Sequence, residues 1–206
     1  FYLDESGSRG LVAAKEDLDG VYQWGCDGIV VDGAYMQEIG FGLHNTKQIV
    51  SSDCFESQTA VGEALSYESE GYSDWYLPSR FEIMEMYDNI SQNSTIGNIG
   101  GFTNDNGGYY WSSSQESDSK SYSLSFSTSD KGPNSKFLSY YVRPIRAFGY
   151  TLGCMDSTAC NFNPEANMAY GSCEYAEEGY DCEGNEITSY QVGDLAHGGI
   201  VFYVDE

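Results

Sequence analysis

Apolar positions recur along this chain with two periods, and those periods mark out its elements. Residues 1–14 read as a strand, the polar turn Ser6-Gly7-Ser8-Arg9 and a return strand GLVAA, so a β-hairpin is expected at the start. Val21 to Trp24 reads as a further short strand. Between Cys54 and about Tyr67 the positions Phe55, Val61, Ala64 and Leu65 fit a helix ending near Gly71. A second helix is better marked, over about Arg80 to Asn89. Ser79 followed by Glu82 forms a capping box, in which each side chain satisfies a backbone amide the helix start leaves unpaired. Phe81, Ile83, Met84, Met86, Tyr87 and Ile90 then supply a broad apolar face.

Residues 91–108, SQNSTIGNIGGFTNDNGG, carry loop chemistry. Beyond them the period drops to two. Tyr109 to Ser113, then Tyr122, Leu124 and Phe126 alternating with serines, then Phe137 to Phe148 predict three strands, with the serine face of the middle one turned to solvent. Pro144, which lacks a backbone donor, belongs at a strand edge or bulge. Hairpin, two helices, long loops and a terminal meander make an α+β domain over residues 1–150.

The composition changes after Tyr150: residues 151–206 contain no Lys or Arg but eleven Asp plus Glu. This predicts a separate, mostly irregular acidic module over 151–189. From about 190 the string VGDLAHGGIVFYVDE restores strand alternation through Ile200, Phe202 and Val204. FYVDE at 202–206 repeats FYLDE at 1–5 in four of five positions, which predicts a tandem array with a period of 201 residues. Residues 190–206 would then be the first strand of the next copy. Residues 190–206 should then pack weakly on domain 1–150 of their own copy, with 151–189 as a semi-rigid spacer.

A 40% hydrophobic and 15% aromatic content excludes a disordered polymer, while 24 glycines and 18 tyrosines fit many turns and short strands. Nine basic residues against 32 acidic ones give a net charge of -23, which repels nucleic acid and anionic membranes and favours cations, calcium first among them. Six cysteines without a CxxC pair, and with only two histidines available, point to disulfides rather than zinc, and so to export. No signal peptide and no run of 18 apolar residues is present, so direct membrane insertion is not expected. The start FYLDE reads as the interior of a longer polypeptide, with export and anchoring signals elsewhere.

The segments IGFGLHNT (39–46), GYSDWYLPSRFEI (71–83), YYWSSS (109–114) and YVRPIRAF (141–148) carry a specific resemblance. Over about residues 1–150 the chain resembles the C-terminal domain family of bacterial collagen-like adhesins. That resemblance implies a variant of the C-type lectin-like fold, shared distantly with formylglycine-generating enzymes, and extracellular attachment without fixing a ligand. The residues themselves read as architecture. Asp74, Trp75, Tyr76 and Leu77 lead into Pro78, which forces an extended approach that packs the helix entrance against the sheet. Trp111 and Phe148 are core candidates. Arg143 and Arg146 should pair with carboxylates such as Asp74 or Glu82. The net charge disfavours the sulfated polysaccharides associated with this family, which need a basic patch.

Residues 153–185 resemble a short cysteine-rich unit found between modules of large marine bacterial surface proteins, loosely like thrombospondin type-three repeats. The sequence leaves three connectivities open for its four cysteines; the resemblance implies Cys154–Cys173 and Cys160–Cys182. Cys26 and Cys54 then close their own loop. Asp156, Asn161, Asn163, Glu165 and Asn167 suggest a calcium loop, with ordinary Asn turns as the plainer account, and Asn104, Asp105 and Asn106 form a second candidate. No catalytic fingerprint is present; His44 and His197 read as turn and loop residues.

Three classes of function remain open. The favoured one is a non-enzymatic repeat of an extracellular adhesin or fibre, whose partners are further copies in tandem, an oligomeric fibre and a cell-surface glycan or protein. The second is a calcium-assisted carbohydrate-binding lectin. The third is an oxidase like the formylglycine-generating enzymes, which would need free thiols at Cys26 and Cys54.

Overall fold

A computed structural model describes residues 1–103, 108–169, 173–187, 195–196 and 199–200. In chain order the first elements are β1 (Tyr2–Leu3), β2 (Gly10–Ala13), β3 (Tyr22–Gln23), α1 (Gly42–Val50), α2 (Ala60–Ser66) and α3 (Arg80–Ile90). The strands β4 (Tyr109–Gln115), β5 (Lys120–Ser125), β6 (Lys131–Ser135), β7 (Ser139–Tyr140) and β8 (Ile145–Phe148) follow. Short pairs close the description: β9 (Leu152–Gly153) with β10 (Met168–Ala169), and β11 (Leu195–Ala196) with β12 (Gly199–Ile200). The protein is α+β, with three helices among the described residues.

The opening hairpin forms with Tyr2 opposite Leu11, and its turn is tied by the Asp4 carboxylate, which accepts from the Ser6 hydroxyl at 2.7 Å and from Arg9 Nε at 2.6 Å. The other edge of β2 pairs antiparallel with β8, so the two ends of the domain share one sheet, in the order β1-β2-β8. β4, β5 and β6 form a second antiparallel sheet, and β3 pairs with β7.

Several expectations need correction. A helix is expected from Cys54, but α2 starts only at Ala60, because Cys54 is bonded to Cys26 and the intervening residues turn. α1 was not expected at all, and His44 lies within it rather than in a turn. Its buried face mixes Leu43 and Ile49 with Asn45 and Thr46, so the apolar period is interrupted by polar residues. Asn45 instead donates to Met36 O and to the Ser113 and Ser114 hydroxyls and accepts from Met36 N, which replaces hydrophobic contact with satisfied hydrogen bonds.

The serine face of β5 is not solvated: Ser121, Ser123 and Ser125 are buried, as are Ser112, Ser113 and Ser114 on β4. Ser112 donates to Tyr122 O, Ser121 donates to Ser114 O, and Ser123 accepts from Asn134 Nδ2, so small hydroxyls are sunk without orphaned polar groups. The expected strand from Phe137 to Phe148 is interrupted. Leu138 N–H turns back to Ser135 O, leaving Phe137 exposed, and Arg143 and Pro144 precede β8 rather than lying in it. β6 holds Pro133 at the edge of its sheet, where a missing donor is tolerated.

The core has two clusters. One gathers Leu11, Tyr76, Ile83, Met86, Tyr110, Phe126 and Ile145 between α3 and the sheets. Met168, in the acidic segment, is buried in that same cluster. The other gathers Trp24, Val31, Ile49, Val61, Leu77, Trp111 and Val142 around α1 and α2. Of the expected seam strand 198–206, residues 198 and 201–206 lie outside the described residues.

Candidate functional site

The segment from Asp74 to Pro78 is stitched into the protein by its backbone. Tyr76 exchanges both hydrogen bonds with Ile145, at 2.9 and 3.0 Å, and Pro78 O accepts from Ser113 N at 2.7 Å. Pro78 thus delivers the chain in extended form to the cap at Ser79, and α3 starts against the sheet. Trp75 is nearly buried, donates to Tyr72 O at 3.0 Å and meets the Tyr67 ring edge-on.

From β8, Arg146 reaches Asp74 with two parallel bonds, Nε at 2.7 Å and Nη2 at 2.9 Å, while its guanidinium lies 3.9 Å from the Tyr72 ring centroid. The bonds from Arg146 hold the Asp74 carboxyl below the usual carboxylate range. Beside this pair opens a hollow of roughly 340 Å³, walled by Trp75, Tyr76, Phe148, Tyr150 and Leu152, with Lys47 of α1 at its rim. Its lining includes neither cysteine nor histidine. The arrangement suits the apolar face of a ligand against aromatic rings, with charges at the edge to orient it.

Arg143 is inside the protein instead, 1% exposed, and its partner is Asp17 rather than Asp74 or Glu82. Its Nε lies 2.7 Å from Asp17 Oδ1, its Nη1 donates to Ala14 O and Gly100 O, and its guanidinium sits 4.2 Å from the Phe102 ring centroid. The other Asp17 oxygen accepts from Tyr110 at 2.7 Å, and burial pushes that phenol well up. Trp111 is buried in the second cluster, where its Nε1 donates to Tyr22 O at 2.8 Å.

Glu82 is fully buried, with no cation paired to it among the described residues. Its oxygens accept from the backbone N–H groups of Gly40 and Ser79, at 2.8 and 2.7 Å, and also from Gly42. A Cβ on Gly42 would collide with Glu82 Oε2, so the glycine of IGFGLHNT is there for close approach. Burial outweighs the three donors and pushes Glu82 up to about 7 from an ordinary 4.5. The folded protein therefore holds this proton more tightly than the unfolded chain. The stability it contributes should be fully present below pH 4.5 and fade as pH rises through about 7. Burial depresses His44, which opposes this trend near its ordinary 6.5. Thermal melts between pH 4.5 and 7.5 should fall in the native protein and be flatter, though lower, in Glu82→Gln; equal slopes would exclude Glu82 as the source.

Lys136 is likewise buried, donating to Cys26 O, Ile29 O and Gln115 Oε1 at 3.3, 2.8 and 3.2 Å over the Trp24 ring, and burial lowers it to about 8. Sequence reasoning missed Asp17, Lys136 and the Gly42–Glu82 contact. The signal for the last was the glycine pair of IGFG; for the others there was none.

Cys26 is joined to Cys54, Cys154 to Cys173 and Cys160 to Cys182. The side-chain oxygens of the acidic segment are taken up locally. Asp156 accepts from Thr158 and Tyr175, Asn161 from Glu174 N, Asn163 from Glu165 N and Asn167 from Thr151 N. These are turn and strand-end contacts. Glu165 is exposed among them. Among the described residues, no three His, Cys, Asp or Glu side chains are grouped to hold a metal ion. Asn104, Asp105, Asn106 and His197 lie outside the described residues.

The chain belongs to the Lcl C-terminal domain family, whose pattern it matches over residues 32–146. That is a family of bacterial surface-protein domains. The match spans the hollow's Trp75 and the Asp74–Arg146 pair, begins after the β1–β2 hairpin and ends within β8. No match was found among curated proteins. Disulfides and family membership fit an extracellular location, and no described helix is long and apolar enough to cross a membrane.

Proposed function

We propose that this chain is a non-enzymatic attachment module, repeated in tandem along a bacterial surface fibre, which engages an uncharged glycan or protein face through the hollow beside Trp75. The observation that carries this reading is the hollow itself: aromatic walls, a bidentate Asp74–Arg146 pair at one end, and no thiol or imidazole among its lining residues. The bonded state of Cys26 and Cys54 supports it further, because an oxidase of the formylglycine-generating type would need those thiols free. The C-type lectin-like arrangement and the thrombospondin-like character of 151–189 belong to the same proposal.

A net charge of -23 makes the ionic dependence specific. Attachment to anionic surfaces should strengthen between about 10 and 150 mM salt, as the screening length shrinks from roughly 30 to 8 Å. A glycan and protein array, read with and without chelator, tests the function. Hits that persist in chelator support the attachment reading; hits that vanish would replace it with calcium-assisted lectin binding, and no hit above a reduced, unfolded control would reject it.

A further inference from the structure

The sheet β1-β2-β8 has an unfinished edge. β2 pairs with β8 along all four residues from Gly10 to Ala13, but among the described residues its register with β1 covers only Gly10 and Leu11. Ala14 N–H points to β8, bonding Pro144 O at 2.8 Å, so strand alternation turns the N–H and C=O of Ala13 towards the β1 side. Beside that edge runs an open groove of roughly 580 Å³, lined by Phe1, Leu3, Val12, Ile96, Ile99 and Phe148. Leu3, Ile96 and Ile99 are 61%, 62% and 65% exposed, a convergence of bare aliphatic surface beside an open strand edge in a highly charged chain.

The chain carries a segment that fits. FYVDE at 202–206 repeats FYLDE at 1–5, so Val201 and Ile200 correspond to the two positions ahead of Phe1. In the register that sets Tyr2 opposite Leu11, those two positions stand opposite Ala13 and Ala14. Gly199–Ile200 is already a strand, paired antiparallel with Leu195–Ala196. A strand can be paired on both edges. A copy of this strand pair running into FYLDE would extend β1 along Ala13 and bring its outer strand to the groove.

We propose that the groove seats the hairpin 195–200 of a second copy of this chain, joined in tandem ahead of Phe1, so that one sheet runs across the seam in the order β11-β12/β1-β2-β8. This rests on the tandem reading above and names its interface. The seam then transmits tension through a continuous sheet rather than through a loose linker.

The test uses the whole 206-residue chain with residues 190–201 repeated ahead of Phe1, read by melting temperature and amide exchange. Neither readout depends on attachment, so the seam and the adhesive role stand or fall separately. The extension should raise the melting temperature by about 4 °C or more and slow exchange of the Ala13 amide at least tenfold. Leu195→Asp and Ile200→Asp within the added segment should abolish both gains. Ile96→Ser with Ile99→Ser should cancel the gain in the extended chain while shifting the original chain by about 1 °C or less. An extended chain that folds with unchanged melting and exchange, or an Asp-bearing extension that protects equally, would overturn the proposal. So would concentration-dependent self-association of the original chain that survives deletion of 190–206 and is lost with the Ile96 and Ile99 substitutions, since the groove would then be a symmetric dimer face.

Discussion

Replacing Asp17 with Asn should lower stability by about 3–5 kcal/mol, the largest loss expected from any single polar substitution here. Arg143 is 1% exposed and has its sole carboxylate among the described ion pairs in Asp17, whose side chain is itself only 15% exposed. An amide in that place cannot neutralise the guanidinium, and its NH2 would face one of the two donors, Arg143 or Tyr110, that now bond separate carboxylate oxygens. The cost falls on the first core cluster, where Tyr110 and the Phe102 ring beneath Arg143 pack. Asp74→Asn provides the comparison. Its partner Arg146 is nearer the surface and Asp74 is 57% exposed, so the loss should stay at or below about 1 kcal/mol. Urea denaturation of both variants decides the matter, and equal losses would show that burial does not set the strength of these pairs.

Reduction of the disulfides should unfold residues 151–187 before the rest of the protein. Among the described residues of that segment only Cys154, Ala159 and Met168 are buried apolar side chains, too few to offset the entropy of ordering it. The bonds Cys154–Cys173 and Cys160–Cys182 close loops with separations of 19 and 22 residues, each stabilising by about 3 kcal/mol through the unfolded state. Under a phosphine reductant, amide exchange in 151–187 should rise to unprotected rates while β4, β5 and α3 remain protected. Retained protection throughout 151–187 would mean that Met168, buried in the first core cluster, holds the segment without its bridges.

Where local chemistry decides an element, the sequence was readable. The capping box at Ser79 and Glu82 placed α3 to within a residue, because two reciprocal side-chain bonds fix a helix start whatever surrounds it. The hairpin at Leu3 and Gly10 was legible from its polar turn, and the presence of disulfides from the cysteine count and the lack of metal-ligand spacing. Where burial is polar, the sequence misled. Ser121, Ser123 and Ser125 read as a solvent face because serine usually is one, and only their hydrogen-bond partners in the fold, Ser114 O for Ser121, Asn134 for Ser123 and Thr128 for Ser125, make burial affordable. α1 was invisible for the same reason, since Asn45 and Thr46 stand where an apolar period would need aliphatic residues.

At the site, Asp74, Trp75 and Arg146 were singled out, and the structure brings them together. The carboxylate that pairs with Arg143 is not legible in the sequence, because the choice among 32 acidic residues depends on a contact 126 positions distant in the chain. The hollow could not be foreseen, since it is walled from α1, β8 and the start of the acidic segment, which meet only in the fold.

The attachment claim is tested most directly by beads coated with the whole chain and held under flow on cells or on the surface coated with the best array hit. Native beads should be retained in chelator and lose most of their retention when Tyr150→Ser and Leu152→Asp alter the hollow's partly exposed wall, with melting temperature unchanged within about 2 °C. Retention no greater than that of beads carrying an unrelated folded protein of equal net charge would contradict the account.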